Sequence, residues 1–315
     1  MYRTTKTVVA HHYGLLLFGV AAFAALWSAL RNWQPEDVTS AGVRAWWGGL
    51  CALSVFNLCC WRVSAAALKQ RRESVEPALY QFQWWQLLLS AVYVLGCGFR
   101  SVLPRADVQR IGLIDSWMSS VMVGRSVATV AELCFMAQWA LLLNLVAKNA
   151  GSRFGVVVSW LIVPLIGVAE VCSWYAVVTT CYLGNAVEES IWTLTAVLLM
   201  VSCVLLWSRC TVRCRPFLAT ALALGVAYVA FMCLVDVPMY VSRWLADEVA
   251  GRQYLTLSQG LQDVWTRRLV TFEWDQWRTE VPWMSLYFSV AVWTSIALVH
   301  TPRFVPKPQL ITASV

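Results

Sequence analysis

Long stretches without a charged side chain recur along this chain and determine its expected architecture. A helix that crosses the hydrocarbon core of a bilayer needs about 20 mostly apolar residues. Eight segments have this character, near residues 13–31, 45–62, 78–99, 122–146, 154–177, 190–208, 216–236 and 281–299. Their apolar positions are continuous rather than alternating, and each segment is roughly twice as long as a membrane β-strand. The pattern therefore predicts membrane-spanning α-helices.

The overall composition strengthens this prediction. Hydrophobic residues make up 59% of the 315 residues and charged residues 13%, whereas soluble domains carry about 25% charged residues. We expect an all-α integral membrane protein, a polytopic bundle of about eight transmembrane helices that forms a single domain over residues 1–315. Seven spans are the alternative. The stretch 111–146 is too long for one perpendicular crossing, so either the helix tilts or residues 111–123 form an interfacial or re-entrant segment before the span.

One connection is longer than the others. Residues 237–280 separate the seventh and eighth predicted spans, and long loops usually have structure or function. Apolar residues recur within it near helical spacing, which predicts an amphipathic helix outside the membrane that lies on the bilayer or caps the bundle. These residues are Tyr254, Leu257, Leu261, Val264, Trp265, Leu269 and Phe272.

Basic residues indicate the orientation. They gather in the N-terminal tail, the 62–76 loop, around residues 148–153, in the 209–215 loop and in the C-terminal tail. The positive-inside rule then places both termini in the cytoplasm, with the plasma or inner membrane as the expected location. The lipid bilayer also explains the net charge of +7, since basic residues beside spans bind anionic headgroups. No nucleic-acid partner is expected. The 19 tryptophans, several of them near span ends, suit an interfacial belt.

Charge inside an apolar span is the clearest functional signal. Segment 124–143, GRSVATVAELCFMAQWALLL, keeps Arg125 and Glu132. On a helix these two residues and Thr129 share one face. Side chains lean toward the helix N-terminus, so Arg125 is expected to lean away from Glu132. Glu170, in the fifth span, is expected at a similar depth. We therefore predict that Arg125 pairs with Glu170, which leaves Glu132 protonated or in contact with a ligand.

Acidic residues also mark the predicted outer side. Glu188 and Glu189 open the sixth span, and Asp236 closes the seventh. A cleft of one charge sign concentrates counter-ions, so these three residues are expected to line an outer vestibule for a cation. The binding group itself is predicted to comprise Glu132, Glu170, Arg125 and Thr129. Ordinary surface charge and helix packing stay open as alternative roles, since an Arg–Glu bridge inside a membrane can simply hold helices together.

Several kinds of chemistry are disfavoured. The three histidines, His11, His12 and His300, lie at span ends, which argues against haem or histidine-based metal sites within the bundle. Glutamate and aspartate show no ligand spacing that predicts a metal, so none is predicted, and the sequence leaves open whether a cofactor is bound. Phosphate-loop and nucleophile-elbow motifs are missing. The 11 cysteines suit small apolar positions, with a Cys172–Cys181 disulfide left open.

Three functions fit these observations. The preferred one is binding or transport of a small solute, with a cation or a proton favoured, through intramembrane carboxylates. The second is a structural or accessory subunit of a larger membrane complex, held by membrane-protein partners or as a homo-oligomer. The third is an intramembrane enzyme on a lipid-like substrate, with Glu132 or Glu170 as general acid or base. The scarcity of histidines favours a non-enzymatic role.

Overall fold

Helices dominate the computed structural model, which describes residues 40–301. The α-helices are α1 (Ser40–Gln70), α2 (Pro77–Val102), α3 (Val121–Asn149), α4 (Arg153–Thr179), α5 (Tyr182–Trp207), α6 (Arg215–Phe231), α7 (Val237–Val249), α8 (Leu257–Thr266), α9 (Trp274–Trp277), α10 (Val281–Leu286) and α11 (Val292–Leu298). Two π-helical turns, Met232–Asp236 and Tyr287–Ala291, connect α6 to α7 and α10 to α11.

Seven helical segments within residues 40–301 are long and apolar enough to cross a membrane. They are Ser40–Gln70, Pro77–Val102, Val121–Asn149, Arg153–Thr179, Tyr182–Trp207, Arg215–Val249 and Val281–Leu298. The expected class, a helical multi-pass membrane protein, is thereby supported. The first predicted span, His11, His12 and both termini fall outside the described residues. Eight spans over seven, and the cytoplasmic position of the termini, therefore stay predictions.

Two compact units divide the described chain. The first unit contains residues 40–138, 177–180 and 255–301, and the second unit contains residues 139–176 and 181–254. The first unit builds its core from α1, α2 and the last helical segment. Trp277, Met284, Phe288 and Val292 are all fully buried there, packed with Tyr93 and its neighbours in α2.

Polar side chains inside the first unit bond to backbone carbonyls of other helices. Asn57 in α1 donates to the carbonyl oxygen of Phe288 at 2.8 Å and accepts from Trp293 Nε1 at 2.9 Å. Phe288 lies in a π-helical turn, where the regular bonding of the helix is interrupted. With no water in the hydrocarbon core, a protein donor has to satisfy such a carbonyl. Asn57 therefore fastens α1 to the last helical segment.

A buried glutamine pair makes a similar link. Gln86 Nε2 donates to the carbonyl oxygen of Gln138, and Gln138 Nε2 donates to that of Gln86, both at 2.9 Å. Gln138 also accepts from Ser295 Oγ at 2.5 Å. Neither glutamine is exposed. Interhelical hydrogen bonds of this kind hold membrane helices together in the absence of a hydrophobic driving force between them.

A small sheet corrects the purely helical expectation. Strand β1 (Arg105–Ala106) pairs antiparallel with β2 (Ile111–Gly112), and β2 pairs parallel with β3 (Leu269–Val270). The sheet joins the segment after α2 to the long connection before the last helical segment. We call residues 103–120 and 255–280 together the cap of the first unit. Strands of two residues carry no recognisable period, so the sequence did not predict them.

Arg110 links two parts of the cap to each other and to the end of α4. Its backbone is left-handed, with φ 63°, and its side chain is 1% exposed. It donates to Asp263 Oδ2 in α8 and to the carbonyl oxygen of Val177, each at 2.7 Å. A positive φ is costly for a residue with a side chain, and these charge-assisted bonds offset the cost. Helix α8 itself begins with a capping box between Thr256 and Gln259.

The second unit is built on α4, α5 and the segment Arg215–Val249. One face of α4 is buried at helical spacing and the opposite face exposes large apolar side chains, an arrangement that suits contact with lipid. The buried residues are Val158, Ile162, Ile166, Ala169, Glu170, Ser173 and Ala176. The exposed residues are Val157, Trp160, Leu161, Val168 and Val171.

The last long helix of this unit differs from its predicted bounds. Residues from 237 onward were expected to form a loop, but the helix continues through the π-helical turn to Val249. The segment Arg215–Val249 has 35 residues, about 52 Å at 1.5 Å per residue. A hydrocarbon core is about 30 Å thick, so this helix is longer than one perpendicular crossing requires.

Candidate functional site

Helices α4 and α5 approach each other closely at the turn that connects them. A Cβ atom added to Gly184 of α5 would lie 2.6 Å from the carbonyl oxygen of Cys172 and 2.8 Å from the Cβ of Ala176, both in α4. Only a residue without a side chain allows this approach. The polar residues beside Gly184 are thereby brought against the buried face of α4.

Two buried carboxylates meet where these helices pack. Glu170 of α4 is 3% exposed and Glu188 of α5 is 4% exposed. Each offers a carboxylate oxygen, and these oxygens lie within 4.8 Å of one another. Two like charges so close in an apolar environment cannot both remain ionised without a counter-charge, because burial and mutual repulsion both penalise the second ionisation. A proton or a positive charge beside the pair relieves this penalty.

Two further oxygens accompany the carboxylates. Asn185 Nδ2 donates to Glu188 Oε2 at 3.1 Å. This bond orients the amide, because turning it over would place its oxygen against the carboxylate. Asn185 Oδ1 then has no hydrogen-bond partner among the described residues, although it is buried, and the same is true of Ser173 Oγ. Ser173 lies one helical turn after Glu170, on the same face of α4.

Ser173 differs from the serine and threonine residues of α5. Ser190, Thr193, Thr195 and Ser202 each donate to the carbonyl four residues earlier, at 2.7 to 2.8 Å. This local bond is the usual way for a hydroxyl in a membrane helix to be satisfied. Ser173 makes no such bond and is fully buried. Its oxygen is therefore available to a ligand.

Glu188 and its neighbours occupy different places from those predicted. Helix α5 begins at Tyr182 rather than near residue 190, so Glu188 and Glu189 lie inside the helix instead of opening it. Glu188 is buried and Glu189 is half-buried. Asp236 is also buried, at the end of the π-helical turn. The exposed acidic rim that the sequence suggested is thus replaced by buried positions at Glu188 and Asp236, and a vestibule role for these residues stays a prediction.

The charges of α3 form an ion pair, contrary to expectation. Arg125 Nη2 lies 3.0 Å from Glu132 Oε2, and Tyr287 in the second π-helical turn donates to Glu132 Oε1 at 2.8 Å. The seven-residue separation spans about 10.5 Å along the axis. The Glu132 side chain leans toward the helix N-terminus and so toward Arg125. The Arg125 side chain leans the opposite way, away from Glu132, but it is long enough to turn back and contact the carboxylate. Thr129, between them, is half-buried.

The predicted pairing of Arg125 with Glu170 stays a prediction, because the two residues belong to different units. The predicted participation of Glu132, Arg125 and Thr129 in ligand binding likewise stays a prediction. Within its own unit, Glu132 has both carboxylate oxygens engaged, by Arg125 and by Tyr287.

A second charged group of the first unit lies in the cap. Arg105 Nε contacts Asp107 Oδ1 at 2.7 Å, and Arg100 Nη2 lies 3.7 Å from Asp107 Oδ2. Burial by itself raises the pKa of the Asp107 carboxyl, but the guanidinium groups of Arg100, Arg105 and Arg125 outweigh burial and hold this pKa below its ordinary value. Burial also lowers the pKa of Arg105. Asp107 is therefore the anionic partner of several buried arginines.

Some site residues could not be recognised in the sequence. Asn185 and Ser173 have ordinary polar side chains, and only their buried, unbonded oxygens distinguish them. Tyr287 lies 155 residues from Glu132, so no local spacing relates the two. Cys172 and Cys181 are not joined by a disulfide. His300, predicted at the end of the last span, bonds to Ser64 Oγ at 2.5 Å.

Comparison with known proteins adds no assignment: no protein family, no curated protein and no solved structure matches this chain.

Proposed function

We propose that this protein binds a small cation or a proton within the membrane, at the carboxylates of Glu170 and Glu188, and transports it. The observation that carries the proposal is the carboxylate pair itself. Two buried glutamates have oxygens within 4.8 Å of each other on helices long and apolar enough to span a bilayer. Ionisable residues inside spans are costly and mark ion pathways and proton relays.

The closeness of the two carboxylates supports reversible binding of a proton or a cation. Binding a positive charge relieves the repulsion between the carboxylates, and releasing it restores that repulsion. A site of this kind holds its ion while helices shield it and gives up the ion when water enters. The accessory-subunit and enzymatic alternatives stay predictions from the sequence.

Transport by purified protein in liposomes tests the proposal. Proton movement is followed with a pH-sensitive dye trapped inside, and sodium and calcium uptake with radioactive tracers. We expect at least one of these ions to enter faster than into protein-free liposomes. Glu170→Gln and Glu188→Gln each remove one negative charge with little change in shape, and each is expected to reduce uptake to the protein-free level.

Glu73→Gln is the matched control, because Glu73 is an exposed carboxylate in the turn between α1 and α2. This variant should transport as the wild type does. Uptake that persists undiminished in both site variants, with folded protein in each case, would contradict the proposal. So would a wild-type protein that neither moves nor binds any of the three ions.

A further inference from the structure

Two buried arginines of the first unit share a single carboxylate, at a place separate from the carboxylate pair of the second unit. We infer that Arg100 and Arg105, beside the N-terminal end of α3, bind a small monovalent anion such as chloride. The inference goes beyond the proposed function, because it concerns other residues and an ion of the opposite charge.

The surroundings of Arg100 are the first argument. Arg100 lies in the last turn of α2 and is 4% exposed. Its Nε is buried and has no hydrogen-bond partner among residues 40–301. Its Nη2 lies 3.7 Å from Asp107 Oδ2, which is longer than a hydrogen bond. An arginine in a protein keeps its charge, and a buried charge without close partners is costly. An anion that accepts hydrogen bonds would remove this cost.

The neighbouring buried arginines have closer counter-charges, each with a carboxylate within 3.0 Å. These pairs are Arg105–Asp107 at 2.7 Å, Arg110–Asp263 at 2.7 Å and Arg125–Glu132 at 3.0 Å. Arg100 therefore shares the charge of Asp107 with Arg105, which lies much closer to it. Two positive charges beside one negative charge leave one positive charge, which a monovalent anion neutralises.

The N-terminal end of α3 adds positive potential at the same place. Helix α3 begins at Val121, and a helix carries about +0.5 elementary charge at its N-terminal end. Arg105 Nη1 donates to the carbonyl oxygen of Ser119, just before this helix. A Cβ atom added to Gly124, in the first turn, would lie 2.6 Å from Arg105 Cδ and 3.3 Å from its Nε. Arg105 thus lies against a helix end of the kind that binds anions.

The electrostatics of Arg105 agree with an excess of positive charge in the cap. Burial is the largest cause that lowers the pKa of Arg105. Asp107 raises this pKa, whereas the charges of Arg100 and Arg110 lower it further. The pKa remains lowered although Asp107 contacts the guanidinium directly, so a further negative charge at this place is favourable.

Burial and charge together indicate the class of anion. Arg100 and Arg105 are 4% and 2% exposed, which suits a small ion better than a bulky one. The single excess charge favours a monovalent anion over phosphate or sulfate. Chloride is spherical and accepts hydrogen bonds without a preferred direction, so guanidinium groups from two different segments can hold it. The expected occupant is therefore a halide ion.

Chloride binding to the full-length protein in detergent tests the inference. Radioactive chloride is titrated by equilibrium dialysis at constant ionic strength, with gluconate as the replacing anion. We expect one chloride per chain for the wild type and no saturable binding for Arg100→Gln. Arg278→Gln is the matched control, because it removes the same charge from an exposed arginine of the same unit. This control should bind chloride as tightly as the wild type.

Thermal unfolding distinguishes anion binding by Arg100 from a purely structural role. Chloride at about 100 times its Kd should raise the unfolding temperature of the wild type by about 5 °C relative to gluconate, and it should leave Arg100→Gln unchanged. In gluconate, Arg100→Gln should be at least as stable as the wild type, because it removes a buried charge that has no close counter-ion. A variant destabilised equally in both anions would overturn the inference.

Asp107→Asn should act in the opposite direction to Arg100→Gln. It removes the negative charge beside both guanidinium groups, so chloride should bind at least about tenfold more tightly. Chloride should also restore part of the stability that this variant loses in gluconate. If Arg100→Gln does not fold, Asp107→Asn still decides the question. A wild type that binds no chloride, or an Asp107→Asn variant that binds it more weakly than the wild type, would overturn the inference.

Discussion

At the residue scale, Asp107 supplies the negative charge that stabilises two buried arginines of the first unit. Its carboxylate contacts Arg105 at 2.7 Å and lies 3.7 Å from Arg100. Asp107→Asn removes the negative charge and leaves these guanidinium groups without their counter-ion. Breaking a buried pair in this way costs about 3 kcal/mol or more. We expect a clearly lower unfolding temperature at pH 7, measured by thermal unfolding of the purified protein.

The loss of stability caused by Asp107→Asn should depend on pH. The folded-state pKa of Asp107 is lowered, so its contribution to stability is present above the unfolded-state pKa of about 3.9 and is lost as pH falls through the lower folded-state value. The difference between wild type and Asp107→Asn should therefore shrink in that acidic range. Asp275→Asn is the control, because the ion pair of Asp275 with Arg278, at 3.7 Å, is exposed. Such pairs contribute about 0–1 kcal/mol. A pH-independent difference would contradict the assignment.

At the scale of elements, the crossing of α4 and α5 depends on Gly184. Gly184→Ala places a methyl group 2.6 Å from the backbone oxygen of Cys172, and backbone cannot move aside as a flexible side chain can. Overpacking of this kind costs about 1–3 kcal/mol. We expect a lower unfolding temperature and slower ion uptake into liposomes, since separating the helices also separates Glu170 from Glu188.

Gly167→Ala provides the comparison within α4. A Cβ added at Gly167 meets no other atom within 4 Å, and alanine favours a helix over glycine by up to about 1 kcal/mol. This variant should be as stable as the wild type or more so, with unchanged ion uptake into liposomes. If both glycine variants behaved alike, close packing at Gly184 would not be what brings the carboxylates together.

At the scale of the whole molecule, the direction of the chain through the membrane can be measured. The turn after α1 and the segment after α2 lie at opposite ends of α2, about 39 Å apart for 26 residues. The cap sheet joins the second of these ends to residues 269–270. Cysteines introduced as Glu73→Cys and Asp275→Cys should therefore react with a membrane-impermeant maleimide from opposite sides.

The sequence further predicts which side is which. Glu73→Cys should be labelled from the cytoplasm and Asp275→Cys from outside, and labelling of the native cysteines in the wild type gives the background. Labelling of both positions from one side would contradict a single crossing by α2. The reverse pattern would retain the spans and show that the positive-inside prediction of orientation is wrong.

The sequence by itself determined the class of the protein and the approximate position of seven spans. The physical reason is that the core of a bilayer offers no water to exposed backbone groups or charges. The sequence of a spanning helix must therefore contain a long apolar run. Such runs can be read without knowing what they pack against. The residues that keep charge inside the runs, Arg125, Glu132 and Glu170, could be singled out on the same ground.

Helix ends were less predictable than helix existence. The start of α5 was expected near residue 190 because two glutamates precede it, and α6 was expected to end at Asp236. In the structure Glu188 and Asp236 are buried within helical segments. A charged residue can lie inside a membrane helix when tertiary neighbours accept it, and the sequence of one helix does not contain those neighbours.

Only the tertiary structure decided which polar groups meet. Tyr287 reaches Glu132 across 155 residues, and Glu188 reaches Glu170 because Gly184 lets two backbones touch. The ion pair between Arg125 and Glu132 forms because the arginine side chain is long and adopts a conformation that reaches the carboxylate. The general direction of side chains on a helix does not determine that conformation. Nothing in the sequence distinguishes the side-chain oxygens of Asn185 and Ser173. Only the structure shows that both are buried without a hydrogen-bond partner among the described residues. Hydrophobicity is a property of each segment, whereas a binding site is a property of the packing between segments, which only the folded chain contains.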